Sequence, residues 1–141
     1  MSFYLDTSGI VPFILQDAHT PAAEEWFAQI RATIFISDFA ALEFAAVVSR
    51  QARMGRLSAQ TGALTLDLFD DWAVRLTRRI KTDLSDMALA ESLVRNFDLK
   101  LAGPDALHLA MATNHGAELV TFDARLAEAA RALGAAVVMP V

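Results

Sequence analysis

The sequence predicts an α/β domain, doubly wound about a central parallel sheet of about five short strands flanked by helices. Three observations predict it. Short apolar runs alternate with longer stretches of helical periodicity. Those runs barely alternate between polar and apolar residues, as strands buried on both faces do. No linker, internal repeat or low-complexity segment divides the 141 residues, which suit one core and one domain spanning 1–141.

The expected strands are Phe3 to Leu5, Ile34 to Ser37, Ala73 to Leu76, Leu119 to Thr121 and Ala136 to Val138. A short helix is expected after Asp6 or Ser8, either of which can cap it. Further helices are expected over Pro21 to Arg31, Phe39 to Met54, Ser58 to Asp71 and Pro104 to His115. Pro21 and Pro104 suit first-turn positions, where a missing N–H costs nothing, and Gly55 and Gly116 mark helix ends. Leu89, Leu93 and Phe97 form another stripe, and Leu126, Ala129, Ala130 and Leu133 are spaced i, i+3, i+4, i+7 before Gly134.

Hydrophobic residues make up 55% of the chain and charged residues 21%, far from the profile of a disordered chain. The absence of cysteine excludes disulfides and thiolate metal sites. With no basic segment leading a long apolar run at the N-terminus, and no apolar stretch near the roughly 18 residues of a membrane span, a cytoplasmic protein with no membrane partner is expected. A net charge of −5 argues at face value against an acidic partner. Two divalent cations held by four carboxylates would bring that charge to about −1 and make the centre attractive to phosphate. Two basic runs, Arg50 to Arg56 and Arg75 to Lys81, are available, although each also reads as ordinary solvated surface.

Ligands in such sheets bind beyond the carboxyl ends of the strands, at the switch in strand order. Asp6 ends the first strand and Asp123 follows the fourth. Asp105 opens a helix, where a negative charge suits the dipole. Each of these three therefore also has an ordinary reading as a helix cap. Glu43 is harder to explain so simply, because it is the only charge between Phe39 and Val48 and shares a face with Phe39, Leu42, Ala46 and Val47. A carboxylate there is costly without a cation or strong donors; Arg50 and Arg31 are the structural partners to expect. Gathered at one edge, Asp6, Glu43, Asp105 and Asp123 would repel one another and bind a hard, oxygen-preferring cation such as Mg²⁺ or Mn²⁺. Paired ions of that kind drive phosphodiester hydrolysis. His108 is expected to be a packed helix residue, with a hydrogen bond to a carboxylate as the functional alternative. His19 and His115 are expected at the surface, and Trp26 and Trp72 in the core or facing a partner.

Four motifs carry a family resemblance: Tyr4 to Ser8 (YLDTS), Ala41 to Val48 (ALEFAAVV), Pro104 to Ala110 (PDALHLA) and Leu119 to Leu126 (LVTFDARL). In this order they resemble PIN-domain ribonucleases, and among them the VapC-type toxins of toxin–antitoxin pairs, over nearly the whole length. The resemblance implies that Asp6, Glu43, Asp105 and Asp123 form the catalytic and metal-binding quartet, with Asp6 and Asp105 first among the direct ligands and Ser8 and Thr121 as supporting hydroxyls. It implies an Mg²⁺- or Mn²⁺-dependent endoribonuclease that cleaves single-stranded or looped RNA by a metal-activated water, leaving a 5′-phosphate and a 3′-hydroxyl with no covalent intermediate. It also implies a VapB-like antitoxin partner and a homodimer. A PIN fold kept as a catalytically silent binding or scaffold module is the alternative. A haloacid-dehalogenase phosphatase needs a second Asp where Ser8 stands, and a response-regulator receiver needs a phosphoacceptor Asp and a Lys that Arg75 to Arg79 and Met139 to Val141 do not supply.

Overall fold

Side chains of the strands point alternately to two apolar layers, so the sheet is buried on both faces. In the computed structural model, which describes residues 1–141, the strands are β1 (Ser2–Leu5), β2 (Thr33–Ser37), β3 (Arg78–Ile80), β4 (Glu118–Val120) and β5 (Val137–Val138). All neighbours are parallel, in the order β3-β2-β1-β4-β5. The helices are α1 (Thr7–Ile14), α2 (Thr20–Gln29), α3 (Asp38–Arg53), α4 (Ala59–Leu76), α5 (Leu84–Arg95), α6 (Gly103–Asn114) and α7 (Ala124–Ala132), with a 3₁₀ turn at Phe97–Leu99.

Phe3, Leu5, Ile34, Ile36 and Val120 face a core completed by Ile10, Phe44, Val48, Phe69 and Trp72 from α1, α3 and α4. Tyr4 and Leu119 face the other, built with Leu107, Leu109, Met111, Leu126 and Ala130 from α6 and α7. The chain fills one side of β1 with β2 and β3 and then crosses to β4 and β5 on the other. The switch in strand order therefore lies between β1 and β4, where Leu5 pairs with Val120. Two positions later on β1 and three later on β4 stand Asp6's helix and Asp123. At this junction Gly9 packs so closely on β4 that a Cβ would lie 2.9 Å from the Val120 carbonyl oxygen.

The expected strand at Ala73 to Leu76 is a correction: those residues are the last turn of α4, and the third strand is Arg78–Ile80. Phe69, Trp72 and Ala73 are buried at i, i+3, i+4, so the apolar stripe that resembled a strand continues the helix. Thr77 then closes the helix, its hydroxyl donating to the Ala73 carbonyl. The strand that follows is an edge strand whose Arg78 and Arg79 are exposed, and it carries no apolar run to read. Likewise α5 ends at Arg95, and Phe97, expected to extend its stripe, is 86% exposed in the 3₁₀ turn. Pro21 and Pro104 occupy first-turn positions, and Gly55 and Gly116 take positive φ at helix ends.

Candidate active site

The four acidic residues reach the carboxyl edge of the sheet in two ways, two as caps between a strand and the next helix and two in the opening turns of helices. Asp6 follows β1 and caps α1, its Oδ1 accepting from the Gly9 N–H at 2.8 Å. Asp123 follows β4 and caps α7, its Oδ1 accepting from the Arg125 and Leu126 N–H groups. Glu43 stands in the second turn of α3, a helix that starts as β2 ends and is capped by Ser37. Asp105 stands in the first turn of α6.

Asp6 is 3% exposed and fully engaged. Its Oδ1 also accepts from Ser8 Oγ at 2.8 Å, and its Oδ2 accepts from Thr121 Oγ1 at 2.7 Å. The same two hydroxyls tie the ends of β1 and β4 together. Ser8 Oγ accepts from the Phe122 N–H, Thr121 Oγ1 accepts from the Asp123 N–H, and the two oxygens lie 3.0 Å apart. Burial pushes the Asp6 carboxyl above its ordinary value, and these hydrogen bonds with the nearby His108 pull against it.

Asp105 differs. No hydrogen bond reaches its carboxylate, which is half-buried yet open to solvent. Its pKa is raised, first by burial and then by the charges of Asp123, Asp6 and Glu43, with His108 opposing. Those contributions put Asp123, Asp6 and Glu43 within electrostatic reach of Asp105. No three acidic or histidine side chains converge tightly enough to hold one ion by themselves. The donor set nonetheless suits a hard cation: it is made of oxygen alone, and Asp105, Glu43 Oε2 and Asp123 Oδ2 take no hydrogen bond.

Glu43 does not pair with either expected arginine. Arg50 is exposed, and Arg31 donates to the carbonyls of Ala28 and Ile30. Instead Glu43 Oε1 accepts from Thr7 Oγ1 at 2.6 Å and lies 2.5 Å from His108 Nε2. Burial raises the Glu43 pKa, but these two bonds outweigh it and hold the carboxyl below its ordinary value. His108, 2% exposed, thus satisfies both expectations at once: it is packed in α6 and bonded to a carboxylate. Its signal in sequence is its position three residues after Asp105, on the same helix face. Thr7 was missed, because nothing in its own segment shows that its hydroxyl meets Glu43 of α3.

The basic runs lie elsewhere. Arg50 and Arg53 end α3, a 16-residue helix that carries them about 20 Å from the edge where it begins. Of the second run, Lys81 lies just past β3 at the carboxyl edge, and Arg79 is near Asp38 at the start of α3. Arg125, exposed in the first turn of α7, is the cation nearest in sequence to the acids, and it was overlooked. His19 and His115 are exposed as expected, but His19 stacks on Phe122 with ring centres 4.5 Å apart, making an aromatic rim beside Asp123. Trp72 lies in the core, with Trp26 packed against it.

Several solved structures share this shape. VapBC2 from Rickettsia felis, bound to a DNA fragment from its promoter, superposes with a TM-score of 0.74 at 19% identity, covering 98% of each chain. VapC20 from Mycobacterium tuberculosis, described as a Sarcin-Ricin loop cleaving toxin, gives 0.70 at 18% identity over 90% of this chain and 94% of that one. FitAcB from Neisseria gonorrhoeae gives 0.72 at 17% identity over 99% and 98%. No curated protein matches the chain in sequence. At these identities the superpositions speak for the fold, but the PIN domain family model matches residues 3–132 directly, and so this chain belongs to the PIN domain family.

Proposed function

We propose that the protein is a metal-dependent endoribonuclease, the VapC-type toxin of a toxin–antitoxin pair. The observation that carries this reading is Asp105, a half-buried carboxylate with no hydrogen-bond partner, set against three other acids at the switch point of the sheet. A folded chain tolerates such repulsion where the charges serve a ligand. Asp6, Glu43, Asp105 and Asp123 are the residues that would hold Mg²⁺ or Mn²⁺. Mg²⁺ keeps several waters and needs only one or two direct carboxylates, which accords with acids that face one another without converging.

When bound, the cation supplies an activated water at neutral pH and stabilises the leaving oxygen of the phosphodiester. The chain's own contribution is orientation. Ser8, Thr121 and the Gly9 N–H fix Asp6, while Thr7 and His108 fix Glu43. Arg125 and Lys81 flank the edge as contacts for RNA phosphates, and the His19–Phe122 stack offers a face to an unpaired base. Cleavage of single-stranded or looped RNA would leave a 5′-phosphate and a 3′-hydroxyl.

A VapB-like antitoxin is the proposed partner. The solved structures of this shape include a toxin–antitoxin complex from Klebsiella pneumoniae, and Leu42, Leu64 and Leu68 on α3 and α4 are 57–66% exposed, an apolar surface that suits an antitoxin segment. A homodimer is proposed on the same family grounds. The catalytically silent scaffold remains the second reading, favoured by the lack of a converged ligand set. No helix is long and apolar enough to cross a membrane.

The deciding experiment incubates purified protein with total RNA, with Mg²⁺ or Mn²⁺ and with EDTA, and maps the cleavage ends. Cleavage should require the metal and fall severely in Asp105→Asn, a change that removes no hydrogen bond. Undiminished activity in EDTA or in that variant would reject the mechanism. A folded parent without activity on any RNA, with either metal, would favour the scaffold.

A further inference from the structure

A buried chain of hydrogen bonds runs to Glu43 from the far side of the sheet. Ser37, Tyr4 and His108 are each 2% exposed or less and come from β2, β1 and α6. Tyr4 Oη lies 2.8 Å from Ser37 Oγ and 2.7 Å from His108 Nδ1, and His108 Nε2 lies 2.5 Å from Glu43 Oε1. Only the proton directions are open, because a hydroxyl can give or take and imidazole has two tautomers.

The direction at Glu43 is fixed by the carboxylate, which only accepts, so the hydrogen between the two lies on His108 Nε2. Ser37 Oγ accepts from the Ala40 N–H as the cap of α3 and bonds Tyr4 Oη, which in turn holds His108 Nδ1. Every polar atom along the path is used, as burial demands. Both donors to Glu43, Thr7 and His108, fall on Oε1. Oε2 takes no hydrogen bond and stays open to solvent.

We infer that His108 is a positioning residue for Glu43: held in place by Tyr4 and Ser37, it clamps Oε1 through its Nε2–H and presents Oε2 to the acidic edge for a divalent cation. This rests on the metal-dependent reading proposed above. A carboxylate free to rotate would share its two oxygens between the clamp and the site; a fixed one offers the same oxygen every time.

The test uses Mn²⁺ alone, titrated calorimetrically into metal-free parent, His108→Leu, His108→Gln, Tyr4→Phe and Glu43→Gln, with circular dichroism as the control for folding. Partners of this kind contribute about 10- to 100-fold to metal affinity. His108→Leu should therefore weaken Mn²⁺ binding about as much as Glu43→Gln, and His108→Gln, whose amide can donate from a similar place, should recover most of the loss. Tyr4→Phe keeps the ring and should give a smaller loss, so it decides the matter if His108→Leu does not fold. Histidine ¹⁵N spectra of the metal-free parent should show His108 Nε2 protonated. If Glu43→Gln weakens Mn²⁺ binding while His108→Leu, or failing it Tyr4→Phe, leaves it unchanged, the positioning role is overturned and the metal reading stands. A His108 Nε2 without its hydrogen likewise overturns it. If the folded parent binds no Mn²⁺, the metal reading fails and takes this role with it.

Discussion

Asp6 and Asp105 are the same residue type at the same edge of the sheet, but Asp6 meets three donors from Ser8, Gly9 and Thr121 while Asp105 meets none. Asp6 stands where β1 and β4 are stitched together, and its carboxylate is part of the stitching. Asp105 stands in the first turn of α6, where the helix dipole and the nearby His108 favour its charge but no hydrogen bond does. The difference separates two ways of keeping an acid at a site. One is built into the fold and cannot be changed without loosening it. The other is surplus to the fold and is tolerated at a cost in repulsion.

The largest expected effect lies on the Asp6 side. Asp6→Ala removes the cap of α1 and leaves two hydroxyls and one N–H without their acceptor, so unfolding in urea should show a loss of about 2–3 kcal/mol. A variant as stable as the parent would mean that the network around Asp6 is not structural.

Two glycines sharpen the contrast. At Gly9 a methyl group would meet the Val120 carbonyl oxygen at 2.9 Å, whereas nothing lies within 4 Å of a Cβ built at Gly103, two residues before Asp105. Gly9→Ala should cost about 1–2 kcal/mol, because backbone must move to admit it. Gly103→Ala should be neutral or stabilising by about 0.5 kcal/mol, through the lower entropy of the unfolded chain. Equal effects of the two substitutions, measured by the same urea titration, would erase the distinction between a tight Asp6 side and a loose Asp105 side.

The strands that carry Asp6 and Asp123 were legible in sequence because β1, β2 and β4 are short apolar runs buried on both faces. β3 was not, since an edge strand of exposed arginines lacks that signature and the preceding helix has an apolar end that imitates it. At the candidate site, charge alone suggested arginines for Glu43, and geometry supplied Thr7 and His108 instead. Periodicity locates a residue on its own helix. It cannot say which buried hydroxyl or imidazole from another layer will meet it, so the chain from Ser37 through Tyr4 to His108 was invisible before the fold was known.

The central claim is that Asp105 is a repelled carboxylate kept for a cation, and thermal melts of parent and Asp105→Asn test it most directly. Its folded pKa is raised, so the destabilisation is fully present above that value and is relieved as pH falls towards the ordinary carboxylate value of about 3.9. In EDTA at neutral pH the Asn variant should therefore melt higher than the parent, with the gap closing as the solution is acidified. Added Mn²⁺ should raise the melting temperature of the parent more than that of the variant, because only the parent keeps all four acids. A variant that melts lower than the parent in EDTA, together with a parent whose melting temperature Mn²⁺ leaves unmoved, would contradict the account.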